Sequence, residues 1–213
     1  MKMMIQLFLI LLISIQVSAM QQNADTNANP LAKYSAVWKQ PKYQKCNTAA
    51  NVNYLTVEEK NLIWVLNMIR LSPKLYLNTV LLNPKCHFYQ SAANRDYYYK
   101  SLIKDLTNLQ PNTDFLFPDS SAYVSARCHA YYSGLNGYVG HDRKWGDCVQ
   151  DFMGECCDYG FEDAVNIITH LLIDKNIPNL GHRIVCLSPE YNKLGTSIQP
   201  HQYYGNNAVL DFK

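Results

Sequence analysis

Two histidines in this 213-residue chain sit in near-identical surroundings, Gly140-His141-Asp142-Arg143 and Gly181-His182-Arg183. Each follows a glycine, has an arginine within two positions and falls outside the segments whose apolar spacing predicts helix. Between them stands Gly154-Glu155. Two imidazoles and one carboxylate are the protein ligands of an open zinc site, which keeps a fourth position for water or substrate. The same groups also suit a neutral hydrogen-bonded cluster, and spacing alone does not choose. No HExxH run is present, and the three residues are far apart in the chain.

Other candidates carry less chemistry. His129 borders the stripe Ala122, Ala126 and Ala130, so a packed, hydrogen-bonded imidazole is expected there, with a pocket role as the weaker reading. Arg183 suits an anion in a pocket or, as readily, a helix end or an acid. Ser188-Pro189 reads as turn chemistry, because no G-x-S-x-G elbow surrounds it. The 16 tyrosines are expected mostly as half-buried packing residues with a wet hydroxyl.

These residues need a scaffold, and periodicity supplies its outline. Thr56-Val57-Glu58-Glu59 is a capping box, followed by Leu62, Val65, Leu66 and Ile69 at helical spacing, which predicts a helix over 57–71. Pro73 stops it, and a second short helix is expected over 74–82. Tyr98, Leu102, Ile103, Leu106 and Leu109 predict a helix over 95–109. Asp119 is a good N-cap for a helix over 120–133 that ends at Gly134. Glu162 and Asp163 open another, running to about Asp174. Leu194, Thr196 and Ile198, then Ala208, Leu210 and Phe212, alternate around Tyr204-Gly205-Asn206-Asn207, which predicts an antiparallel hairpin. Several helices with a small sheet imply an α+β single domain.

The chain ends of this outline differ from its middle. Lys2, the apolar run Leu7–Ile15 and Val17-Ser18-Ala19 read as a secretory signal peptide over residues 1–19. The run is too short to span a bilayer, so no transmembrane segment is expected in the mature chain, and the localisation is expected to be secreted or periplasmic. Residues 20–53 are polar and aperiodic, which predicts a flexible leader before a domain over 54–213. The net charge of +2, with only 17% charged residues, argues against a nucleic-acid partner. Seven cysteines in an exported chain predict disulfides: the candidates are Cys86, Cys128, Cys148, Cys156, Cys157 and Cys186, with Cys46 in the leader. An odd count leaves one thiol over, and a bond at Cys156 or Cys157 is expected to brace Glu155.

Four stretches stand in order: the helix from Asp119 leading to Gly137-Tyr138-Val139-Gly140-His141; Gly154-Glu155-Cys156; Gly181-His182-Arg183 with Leu187-Ser188-Pro189; and Tyr191–Ile198. Together they resemble the CAP superfamily of cysteine-rich secretory, antigen 5 and pathogenesis-related proteins, the Gly-His-Arg stretch in the form of its bacterial secreted members. The resemblance implies an α-β-α sandwich with a shallow cleft, where His141, Glu155 and His182 gather around a divalent cation such as zinc. The chain departs from the family pattern at three places. Cys156 stands for an asparagine, Ile168 for a tryptophan, and no acid stands near Leu171, where a second one is usual. His170, beside it, falls on the polar side of its helix with Asn166 and Asp163, so a surface histidine is expected. The function implied is a non-enzymatic binding module for an extracellular ligand, with a metal-dependent hydrolase and a lipid-binding or protein-interaction module as the alternatives.

Overall fold

The computed structural model describes residues 28–90 and 96–213. The expected signal peptide, and residues 20–27 of the expected leader, lie outside the described residues. Among the described residues, no helix is long and apolar enough to cross a membrane.

Helix α1 (Val57–Leu71) begins at the capping box: the Glu59 N–H donates to Thr56 Oγ1 at 3.3 Å, and the Thr56 N–H to Glu59 Oε2 at 2.8 Å. Glu59 also docks the helix on the sheet, its Oε1 accepting from the Ile198 N–H at 2.9 Å and its carbonyl from Thr196 Oγ1 at 3.0 Å. The segment expected over 74–82 forms a short helical turn at Pro73–Tyr76 that widens into a π-helical turn at Leu77–Leu81. Helices α2 (Tyr97–Asn108), α3 (Ser120–Leu135) and α4 (Ala164–Ile173) start at Asp96, Asp119 and Asp163, each of which accepts a backbone N–H of its own first turn. Helix α5 (Gly181–Leu187) is short.

The sheet has the order β1-β3-β4-β2, formed by β1 (Phe117–Pro118), β2 (Gly154–Tyr159), β3 (Lys193–His201) and β4 (Gly205–Phe212). Strands β3 and β4 form the expected hairpin, pairing Leu194 with Phe212, Thr196 with Leu210 and Ile198 with Ala208. The turn comes earlier than the sequence suggests, at residues 202–204, and Gly205 opens β4 with φ +80°. Among the described residues, strand β2 pairs with β4 alone, leaving its other edge free.

Helices cover both faces of the sheet. Ala208, Leu210, Phe212 and Cys156 face the main core with α1 and α4, whereas Val209 and Cys157 meet Ala126 and Ala130 of α3. This two-sided cover explains why β4 is buried almost continuously along its length. The alanine stripe lets α3 lie close. A Cβ on Gly195 would come within 2.1 Å of the Ala122 carbonyl carbon, and one on Gly134 would come within 2.1 Å of the Pro200 oxygen. Gly134 is therefore a packing position inside α3 and not its stop, which comes after Leu135, with Gly137 at φ +62°.

The leader reading is overturned for residues 29–53. Leu31, Trp38, Tyr43, Cys46 and Ala49 are buried in the main core. Trp64 Nε1 donates to the Tyr43 carbonyl at 2.8 Å, and Asn67 Nδ2 to the Cys46 carbonyl at 3.1 Å. The segment runs through short turns, so its apolar residues carry no helix or strand period, yet a fully buried side chain of this kind contributes roughly 1.5–3 kcal/mol. The fold is α+β, and its domain includes this N-terminal wrap.

Candidate functional site

The cleft lies over the free edge of β2, where alternate residues point to opposite faces. Glu155, Cys157 and Tyr159 face α3, while Cys156 and Asp158 face α4 and α5. A cavity of about 290 Å³ opens here, lined by His141, His170, His182, Asp158 and Asp174 together with apolar Leu171 and Ile177.

His182 is built in from below. Asp174 ends α4 in the left-handed region, at φ 56°, and its carboxylate caps the next helix. Asp174 Oδ2 accepts the backbone N–H groups of His182 at 3.0 Å and Arg183 at 3.3 Å, while Oδ1 accepts His182 Nδ1–H at 2.7 Å. One carboxylate thus satisfies orphan amides of α5 and sets the ring. Asp174 stands three residues after Leu171, at the helix end.

His141 is held from the other side by a loop. Gly140 before it has φ +134°; its carbonyl accepts from His129 Nε2 at 2.9 Å, and its N–H donates to Tyr159 Oη at 3.0 Å. His141 Nδ1–H donates to Glu155 Oε1 at 2.8 Å, and Arg143 Nη1 grips Glu155 Oε2 at 2.6 Å. Arg143 Nη2 reaches on to Ser125 Oγ at 3.0 Å and Asp211 Oδ2 at 3.1 Å. Both carboxylates and the guanidinium are almost wholly buried. Burial pushes Glu155 up, but the His141 bond and the Arg143 charge outweigh it and hold the carboxyl below its ordinary range. Asp211, left with the weaker share of Arg143, is raised: burial dominates, opposed by the Ser125 hydrogen bond and reinforced by the Glu155 charge. His141 is raised, chiefly by its bond to Glu155.

A third histidine enters the cleft. His170 is not a free surface residue: its Nδ1–H donates to Asp158 Oδ1 at 2.5 Å, and its ring stacks on Phe88 and meets the edge of Phe161. Asp158 is buried, which raises its pKa against the pull of His170 and His182, and its Oδ2 has no hydrogen-bond partner among the described residues. The helical wheel placed His170 beside Asn166 and Asp163 correctly but could not show that β2 brings a buried aspartate up to that side.

The weaker pocket candidates both serve the frame. All five guanidinium N–H groups of Arg183 are engaged: Nε with the Leu172 carbonyl, Nη2 with those of Ile173 and Tyr98, and Nη1 with Ser101 Oγ and Asp105 Oδ2. Arg183 therefore caps the end of α4 and ties α2 to it, leaving nothing for an anion. His129 packs under the loop on Gly140, as above. With Glu155 and Cys157 it also forms a group whose ligand atoms lie within 4.8 Å of one another and could hold a metal ion. Burial lowers His129 and pushes the Cys157 thiol well up, so both are neutral there.

The disulfide expectation holds for Cys128 and Cys148 and needs correction for the other candidates and for the single leftover thiol. The bond formed is Cys128–Cys148, which ties α3 to the loop bearing His141 and Arg143, while Cys46, Cys86, Cys156, Cys157 and Cys186 are thiols. Glu155 is braced by that loop and Arg143 and not by a bond from its neighbours. Cys156 faces Cys186 with the sulfurs 3.9 Å apart, and Cys157 Sγ lies 3.7 Å from His141 Nδ1.

Three imidazoles therefore line one cavity, each with Nδ1 on a carboxylate and with no protein partner recorded at Nε2 among the described residues. The rings of His141 and His182 have centroids 5.8 Å apart. No family model, curated protein or solved structure matches the chain.

Proposed function

We propose that the chain is an exported binding module of CAP type whose cleft takes a divalent cation, zinc by preference, through Nε2 of His141 and His182. The supporting observation is the pairing of those two facing rings with Glu155 and Asp174. Metal-bound histidines characteristically donate the other ring N–H to a carboxylate, which fixes the tautomer and strengthens the ligand. The donor set suits zinc, which takes imidazole nitrogen, better than calcium or magnesium, which want a cage of oxygens. A cation held there would expose open positions to a polar extracellular ligand. Calorimetric titration of metal-free protein with zinc tests this. Wild type is expected to bind, and a His141→Ala/His182→Ala variant is expected to lose at least 10-fold in affinity; equal binding by the two would refute the assignment.

Metal-dependent hydrolysis is a second reading, favoured by one observation. The sequence shows no spare acid beside Glu155, but the folded cavity contains the His170–Asp158 pair, which can accept a proton next to the proposed cation. Peptide, ester and glycan substrates would then be turned over by wild type and not by His170→Ala; no turnover of any class, with zinc bound, removes this reading.

A further inference from the structure

Behind the cleft, on the opposite face of β2 from Glu155, two thiols meet. Cys156 lies on β2 directly after Glu155, and Cys186 lies on α5 one helical turn after His182. Both have 0% exposed surface, and their sulfurs are 3.9 Å apart, the one thiol–thiol contact among the described residues. The sulfurs need to approach by roughly 2 Å to reach bonding distance. The other three thiols contact different groups: Cys46 Sγ lies on the Lys42 carbonyl, Cys86 sits in the main core, and Cys157 faces His141.

We propose that Cys156 and Cys186 are a redox pair that closes to a disulfide, locking the strand that carries Glu155 to the helix that carries His182. The chain already holds one disulfide, and such bonds persist where the surroundings are oxidising. Closure proceeds by exchange with a disulfide donor, either a thiol oxidoreductase in its oxidised form or a small-molecule disulfide. One cysteine, losing its proton, attacks and breaks the donor's S–S bond to give a mixed disulfide. The second cysteine, also losing its proton, displaces the donor's remaining sulfur. The Cys156–Cys186 bond forms, two protein S–H bonds are lost, and the donor takes up those two protons and two electrons, leaving as a dithiol if an oxidoreductase or as two thiols if a small-molecule disulfide. Because both sulfurs are wholly buried in the folded chain, exchange occurs while α5 is docking on β2 or during its local opening. In the reduced state packing and the Cys156 Sγ contact to the His182 carbonyl, at 3.7 Å, join strand and helix behind the histidines. In the oxidised state a covalent crossbar spans 30 residues of chain there. The bond itself does not depend on what the cleft binds.

Non-reducing peptide mapping of the full chain, recovered from an oxidising compartment and alkylated under denaturation, tests this directly. The expected result is a Cys156–Cys186 crosslinked peptide beside Cys128–Cys148, with alkylation confined to Cys46, Cys86 and Cys157. Recovery of Cys156 and Cys186 as alkylated thiols, or bonded to other cysteines, would overturn the proposal. A second measurement needs no variant at the buried pair. In a Cys128→Ser/Cys148→Ser background, reduction is expected to lower the unfolding midpoint by about 5–10 °C. No shift in that background would also overturn it.

Discussion

The two histidines that face each other over the edge of β2 are anchored by different kinds of structure. His182 stands on a helix start, and Asp174, which orients it, is also the residue that ends α4 and caps α5. The His182 side chain is 18% exposed, and helix, cap and ring are joined through one carboxylate. His141 stands on a loop, its side chain 54% exposed, and owes its place to Glu155, Arg143, the pinned Gly140 and the Cys128–Cys148 bond. One wall of the cleft is a by-product of core packing. The other is an exposed loop fastened at several points, so it should fail separately.

Breaking the loop wall at its buried charge should have the largest effect. Arg143→Met strips Glu155 and Asp211 of their shared cation, and removing one partner of a buried pair costs about 3–5 kcal/mol. Urea unfolding is expected to show that loss, and zinc affinity is expected to fall with it. Removing the loop's covalent fastening comes next. Cys128→Ser/Cys148→Ser opens a span of 20 residues and is expected to cost about 3 kcal/mol. Hydrogen exchange should then rise in residues 136–153 while the amides of His182 and Arg183 stay protected. Equal exchange on both sides would abolish the contrast between the walls.

The helix wall is probed by Asp174→Ala. It leaves the His182 and Arg183 amides without their acceptor, for about 1–2 kcal/mol, and frees the ring. If His182 holds a cation, affinity drops about 10–100-fold, out of proportion to the stability change. The smallest effect is in pH dependence. The folded pKa of His141 is raised by its bond to Glu155, so its contribution is complete below the ordinary imidazole value and is lost as pH rises through the folded one. Glu155 is lowered, so its contribution is present above the ordinary carboxylate range and is lost as pH falls through its folded value. His141→Gln is therefore expected to flatten the alkaline side of the stability profile and spare most of the acid side, by less than about 1 kcal/mol for so exposed a ring.

Much of the frame can be read from local signals. The Thr56 box, the helix starts at Asp119 and Asp163, and the alternation of β3 and β4 each depend on neighbours in the chain, so short windows contain them. Strand β2 escaped because Gly-Glu-Cys-Cys-Asp-Tyr, covered on both sides, shows no alternation of polar and apolar residues. The wrap over residues 29–53 escaped because burial through irregular turns leaves no period to detect.

The sequence by itself determined the chemical types available: imidazoles at 141 and 182, a carboxylate at 155 and thiols enough for crosslinks, with helices and a hairpin to frame them. Tertiary structure alone decided the partnerships. It set Asp174 under His182 and Asp158 under His170, gave the buried Arg143 to Glu155, committed every donor of Arg183 to the frame, and paired Cys128 with Cys148. A side chain's type is local, whereas the partner that fixes its protonation and direction comes from wherever packing brings buried polar groups that must be satisfied.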